Sequence, residues 1–210
     1  PQAPFNFIVE NKNLTGFVNE DFELIVRLEG SAIPDQAYIV SGGQRYKLDG
    51  LGDNRFSYTF ENLQSPLDLQ ISAAGFFSPS YHVKLLNRPE LTGFEVGLDY
   101  PTYTQRRDDL LRNAGNLEIP EGTTVRWNLL TAHAREAGIS FASEDRMHQF
   151  QPTDDQSFTY VRRFVETDQY EIALQNEDSR NRDKIAYQVN VVKDQRPQIS
   201  VNSFRDTVLY

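Results

Sequence analysis

The 210-residue sequence predicts an all-β fold arranged as two tandem β sandwiches. Three observations carry that prediction. Phe and Tyr, 14 and 10 of them against 1 Trp and 1 Met, suit pleated, half-buried surfaces better than helical bundles. Short runs alternate apolar and polar residues with a period of two. The order of these runs also starts over near residue 100, at YPTYTQRRDDLLRNAGNLEIPEGTTVRW, residues 100–127.

In chain order, Phe5, Phe7 and Val9 mark a first short strand, and residues 11–16 form a turn cluster. Phe22, Leu24, Val26 and Leu28 alternate with Glu23, Ile25, Arg27 and Glu29, giving one apolar and one mostly polar face, and Gly30 ends the run. After the turn at Ile33-Pro34-Asp35, residues 37–40 and 45–48 form a hairpin through Ser41-Gly42-Gly43, where glycine tolerates positive φ. LDGLGDN, residues 48–54, reads as a loop. Three more strands follow, marked by Phe56, Tyr58 and Phe60, then Leu67, Leu69 and Ile71, then Tyr81, Val83 and Leu85, with Pro66 and the GFFSPS turn between them. Seven short strands at this spacing are the pattern of an immunoglobulin-like sandwich, so residues 1–88 are assigned to a first domain.

At Asn87-Arg88-Pro89 the pattern breaks, and residues 91–98 open a second domain, 89–195. Its features retrace those of the first. Val18-Asn19-Glu20 matches Ile119-Pro120-Glu121, and Phe22, Leu24, Val26 and Leu28 match Thr123, Val125, Trp127 and Leu129, both at an offset of 101. Residues 55–58 match 157–160 at 102; Leu67, Leu69 and Ile71 match Tyr170, Ile172 and Leu174 at 103; Tyr81, Val83 and Leu85 match Tyr187, Val189 and Val191 at 106. A rising offset is what loop insertions between equivalent strands produce, and a period of about 100 residues is that of a string of domains, not a short solenoid. Residues 101–116 have no counterpart and form an inserted loop. Within it, QRRDDLLRNA (residues 105–114) is too short for a stable helix and is expected to hold one helical turn at most. Arg196-Pro197 echoes Arg88-Pro89, so 196–210 is read as the first strand of a further repeat or a C-terminal extension of a longer protein.

The formal charge of −9 opposes nucleic-acid binding, which requires clustered Lys and Arg. Basic and acidic residues number 7 and 10 in 1–88, 12 and 19 in 89–195, and 2 and 1 in 196–210, differences of −3, −7 and +1 that sum to −9. No segment is a basic patch. With no cysteine, disulfides, zinc-thiolate sites and thiol catalysis are excluded. No apolar run approaches the roughly 20 residues of a membrane span.

The search for chemistry yields no catalytic, cofactor-binding or metal-ligating set. His82, His133 and His148 lie in separate segments outside any H-E-x-x-H pattern and read as surface or strand histidines. There is no G-x-S-x-G elbow and no phosphate or dinucleotide loop. Acidic pairs such as Glu20-Asp21, Asp108-Asp109, Glu144-Asp145 and Asp154-Asp155 read as solvated turn residues, since neighbours on a strand face opposite ways. Asp178, Asp183 and Asp194 offer oxygens for calcium, but the loop motif for it is missing. Asn13-Leu14-Thr15 fits a three-residue glycosylation pattern that is common by chance.

Tyr100-Pro101, Tyr103-Thr104, the turn at residues 120–123 and the VVKDQRPQISV junction, residues 191–201, resemble a family of large, membrane-anchored bacterial envelope proteins of uncharacterised function with tandem immunoglobulin-like repeats. The resemblance covers chiefly the second domain and supplies no active-site residue. It implies a periplasmic or extracellular setting, anchored through segments outside this sequence. The functional expectation is a non-catalytic extracytoplasmic spacer and protein-interaction segment, with no cofactor, whose partners are another protein or neighbouring repeats. The alternative is a carbohydrate- or peptide-binding accessory module of an enzyme whose catalytic domain lies elsewhere. A sheet edge near the insertion is the expected place for a partner strand.

Overall fold

A computed structural model describes residues 3–193. The repeat strand expected within 196–210 and the calcium candidate Asp194 lie outside the described residues. The main division of the chain falls between Arg88 and Pro89.

The first unit contains β1 (Phe5–Val9), β2 (Thr15–Phe17), β3 (Phe22–Gly30), β4 (Tyr38–Ser41), β5 (Gln44–Lys47), β6 (Asp49–Gly52), β7 (Arg55–Phe60), β8 (Leu67–Ala73), β9 (Phe76–Phe77) and β10 (Tyr81–Leu86). One sheet runs β1-β3-β7-β6; the other runs β2-β10-β8-β4-β5, with β9 folded back on β8. All pairings are antiparallel except β2 with β10, which is parallel. This is the immunoglobulin-like arrangement, in which the entering chain contributes a strand to each sheet. Leu24, Val26, Leu28, Ile39, Ile71 and Val83 are fully buried between the sheets. Burying each such side chain is worth about 1.5–3 kcal/mol.

Two segments expected to be irregular are strands. Residues 48–54, read as a loop, contain β6, whose four residues are all exposed. With neither face buried, hydropathy does not alternate, and only backbone pairing to β7 defines the strand. The turn cluster at 11–16 gives way at Thr15 to β2, three residues long and paired to a strand about 70 residues away.

The second unit contains β11 (Glu90–Asp99), β12 (Asp109–Arg112), β13 (Leu117–Pro120), β14 (Thr124–Ala132), β15 (Glu136–Phe141), β16 (Met147–Gln149), β17 (Gln151–Asp154), β18 (Ser157–Arg163), β19 (Asp168–Gln175) and β20 (Ile185–Val192). The sheets run β12-β11-β14-β18-β17 and β13-β20-β19-β15-β16, repeating the first topology with β12 added at one edge. Trp127, fully buried, sits at the core, with the rings of Phe141, Tyr160, Phe164 and Tyr170 5.3–6.3 Å from it.

The two units share a backbone circuit that fixes their correspondence. Asn19 N–H donates to Leu63 O while Leu63 N–H donates to Glu20 O; in the second unit Gly122 N–H donates to Phe164 O while Phe164 N–H donates to Thr123 O. Asn19 and Gly122 both have positive φ, 62° and 89°. Asn19 therefore corresponds to Gly122, an offset of 103 and not 101. The sequence match at 101 is slipped by two residues along the entry to β3 and β14. A two-residue slip leaves every side chain on the same face, so alternation cannot detect it.

Candidate functional site

The insertion is where the units differ. In the first unit the strand ends at Val9, and Asn11 takes over the vacated ladder positions: its Oδ1 accepts from Ile25 N–H and its Nδ2 donates to Glu23 O, both at 2.8 Å. In the second unit the equivalent strand runs on to Asp99, pairing β14 as far as Thr124. The chain then turns through a short 3-10 segment, Thr102–Thr104, and returns as β12 against Glu95, Val96, Gly97 and Leu98 of β11. Residues 105–114, expected to hold a helical turn at most, thus contain a strand, and the single helical turn precedes them. Pairing with β11 supplies backbone partners at once, which a ten-residue isolated helix could not match.

The insertion is tied down at both ends. Thr104 Oγ1 donates to Pro101 O, and Tyr103 Oη donates to Glu121 O at 2.7 Å. At the far end Asn113 bonds Phe94 twice, N–H to O at 2.8 Å and Oδ1 from N–H at 3.0 Å, and Asn116 Oδ1 accepts from Gln188 N–H. Tyr170 Oη donates to Gly115 O at 2.7 Å. Leu111 packs on the core while Leu110 stands 53 % exposed beside Arg112, which pairs with Glu95 at 3.0 Å. Among the described residues, the outer edge of β12 has no neighbouring strand in its sheet. A groove of ≈ 440 Å³ runs between Tyr103, Thr104 and Arg106 on one side and Glu118, Ile119 and Pro120 of β13 on the other.

The densest polar cluster lies at another corner of the second unit. Glu144 Oε2 meets His148 Nε2 at 2.6 Å and Arg146 at 3.4 Å, and its Oε1 meets Arg162 at 2.8 Å. These contacts, that with His148 foremost, hold the Glu144 carboxyl down at about 2. Arg162 lies 3.8 Å over the Phe141 ring, and Asp168 accepts from both the hydroxyl and the N–H of Ser143. In the first unit Tyr46, Tyr58 and Phe60 close the matching corner by ring packing at 4.9–6.2 Å. One corner is closed by aromatics and its repeat by charges over aromatics, which marks the cluster as architectural.

The histidines and acidic pairs that stand out in the sequence are dispersed accordingly. His82 pairs with Asp68 at 2.7 Å on an exposed face, and His133 sits in a turn at φ 58°. Of the acidic pairs, Glu144 departs from the solvated-turn reading, since Arg146, His148 and Arg162 hold it. The only sequence signal for that cluster is the crowding of Glu144, Arg146 and His148 into five residues. Glu20 also leaves the solvated class by pairing with Arg88 at 2.6 Å. Among the described residues no three His, Asp or Glu side chains converge as metal ligands.

Strand order and register thus define a tandem immunoglobulin-like β-sandwich protein whose second sandwich carries an inserted edge strand. No family model and no curated protein matches the chain. Among solved structures, the fibronectin(III)-like modules of CbhA from Clostridium thermocellum overlap 93% of the chain and 100% of their own length at 9% identity and a TM-score of 0.42. The polymeric Ig receptor (pIgR) ectodomain of a teleost fish overlaps 88% of the chain and 97% of its own at 12% identity and 0.32. Overlaps at this level carry no weight beyond the topology given above. No described helix is long and apolar enough to cross a membrane.

Proposed function

We propose that the chain is a non-catalytic spacer and protein-interaction segment of an extracytoplasmic, membrane-anchored protein, with the edge of β12 as one contact for a partner strand. The single observation that supports this most is the hairpin that only the second unit carries. It is fastened at Tyr103, Asn113 and Gly115, yet among the described residues its outermost strand leaves one backbone edge unpaired and Leu110 exposed. An extended segment adds to such an edge through backbone hydrogen bonds and takes its specificity from alternate side chains. The tandem sandwiches act as the spacer. The envelope setting comes from the resemblance of the 100–123 and 191–201 segments.

The test is cross-linking in a bacterial envelope with the parent chain and with residues 106–113 deleted. Capture is expected to fall on deletion while circular dichroism keeps the β spectrum. Equal capture by both chains counts against the reading.

A further inference from the structure

The two edges of the sheet that holds β12 are built differently. β17, at the far edge, carries Pro152 and a register shift between Pro152 and Asp154, whereas β12 pairs β11 without a break. The same pairing fixes which backbone groups of β12 face outward. Asn113 N–H donates to Phe94 O, so these two form a hydrogen-bonded pair, and in an antiparallel ladder such pairs recur at every second residue. Leu111 with Val96 and Asp109 with Leu98 are the next ones, which turns the N–H and C=O groups of Leu110 and Arg112 to the free edge. Side chains alternate in step: Leu111 packs on the core, so Leu110 and Arg112 stand on the outer face of the sheet. Carried back one repeat, the alternation puts the exposed Asp108 on that face and that edge as well.

The outward set Asp108, Leu110, Arg112 is its own complement. A two-fold axis through Leu110, normal to the sheet, turns the strand end for end and lays a second copy antiparallel beside it, outer face continuing outer face. Asp108 then lies opposite Arg112 of the second copy, Arg112 opposite its Asp108, and Leu110 opposite its Leu110, each pair exchanging both backbone hydrogen bonds. The neighbouring registers that keep the faces aligned lose this match. Centring on Asp109 sets Arg112 against Arg106 of the second copy; centring on Leu111 sets it against Leu110 and leaves Asp108 opposite Ala114. The chain as a whole carries −9, but residues 105–114 hold three Arg and two Asp, a sum of +1, so this edge does not share the excess that keeps copies apart. In the single copy Arg112 uses Nε for Glu95, which leaves its terminal amino groups for a second carboxylate. Leu110 N–H donates to Asp109 Oδ1 at 3.0 Å, an exposed contact between chain neighbours that a carbonyl of the second copy replaces.

We infer that β12 pairs antiparallel with β12 of a second copy of this chain about a two-fold axis at Leu110, joining two sheets into one and covering the exposed leucine. The inference rests on the proposed use of this edge and names its occupant. A strand of any other protein meets the backbone requirement equally; the two-fold match of Asp108 with Arg112 is what selects a second copy. One short strand on each side makes a small interface, so the dimer is a weak one that forms and parts with concentration.

Sedimentation velocity on the whole chain, from about 10 µM to about 1 mM, covers the range of such a contact. The parent is expected to pass from monomer to dimer across it. Asp108→Arg and Arg112→Asp each set like charges across the axis and should weaken the dimer about 10-fold or more. Mixed in equal amounts, the two variants should recover a heterodimer, because every charged pair across the axis is then of opposite sign. A parent that stays monomeric, variants that dimerise as the parent does, or no recovery on mixing would overturn the inference. Thermal melts of both variants, expected to match the parent, separate loss of the contact from loss of the fold, and recovery on mixing does so independently. A monomeric parent whose capture in the envelope still falls on deletion of residues 106–113 sinks the second copy as occupant and leaves the proposed function standing.

Discussion

The hydroxyl of Tyr170 donates to the carbonyl of Gly115 at 2.7 Å across 55 residues of chain. Gly115 has no room for a side chain, since a Cβ there would stand 2.3 Å from the ring of Tyr187. Burial raises the Tyr170 phenol well above its usual range, so the hydroxyl stays a donor at any working pH.

Tyr170→Phe removes the donor and leaves a buried carbonyl short of one partner, a loss of about 1–2 kcal/mol. Gly115→Ala forces the Tyr187 ring to move and is expected to cost about 1–3 kcal/mol. Urea unfolding followed by the fluorescence of Trp127, the only tryptophan, reads the second unit alone. If both variants unfold at the parent midpoint, the Tyr170 bond does not hold the insertion.

Acid should weaken the second unit through Glu144. Its folded carboxyl sits at about 2, below its ordinary 4.5, so the stabilising contribution is complete above about 4.5 and disappears as pH falls toward 2. The parent is expected to lose melting temperature across that window, and Glu144→Gln, already without the ion contacts, should fall less steeply. Parallel curves for the two would remove the cluster from the acid response.

Asn19 and Gly122 occupy one position in the two circuits and differ in their tolerance. Asn19→Gly should change stability by only a few tenths of a kcal/mol, because Asn already accepts positive φ. Gly122→Val puts a branched side chain at φ 89°, with Arg163 and Pro101 3.2–3.3 Å from the new Cβ. A cost of about 2 kcal/mol is expected from denaturant melts. A neutral Gly122→Val would mean the turn can change shape.

Asn11→Ala should expose what the side chain replaces. Ile25 N–H and Glu23 O each lose a bond of 2.8 Å, worth about 1–2 kcal/mol together. Native-state hydrogen exchange at Ile25 should quicken by one to two orders of magnitude while Leu24 and Val26 stay protected. Unchanged exchange at Ile25 would show that water or another group takes the place of Asn11.

Much of the fold is legible in the sequence because burial imposes its own period. Phe22, Leu24, Val26 and Leu28 alternate because β3 has one face in the core, and Ser41-Gly42-Gly43 marks the β4–β5 hairpin through glycine's access to positive φ. Strands formed by pairing alone are not legible: β6 and β12 have little or no buried face, and β2 is too short to show a period. The place of the insertion is readable from a missing counterpart, but its conformation depends on the free edge of β11, which only the folded sheet provides.

Each sandwich lets its last strand run parallel to a strand laid down early: β10 beside β2 for three residue pairs, β20 beside β13 for four. A tension applied through the two ends of a unit pulls these partners along their length in opposite directions. The hydrogen bonds between them must then slide and fail together, not open one by one as in a zipper. Each domain therefore works as a clasp loaded in shear, and the longer overlap makes the second the stronger of the two. A chain of such clasps resists extension until its shortest overlap slides.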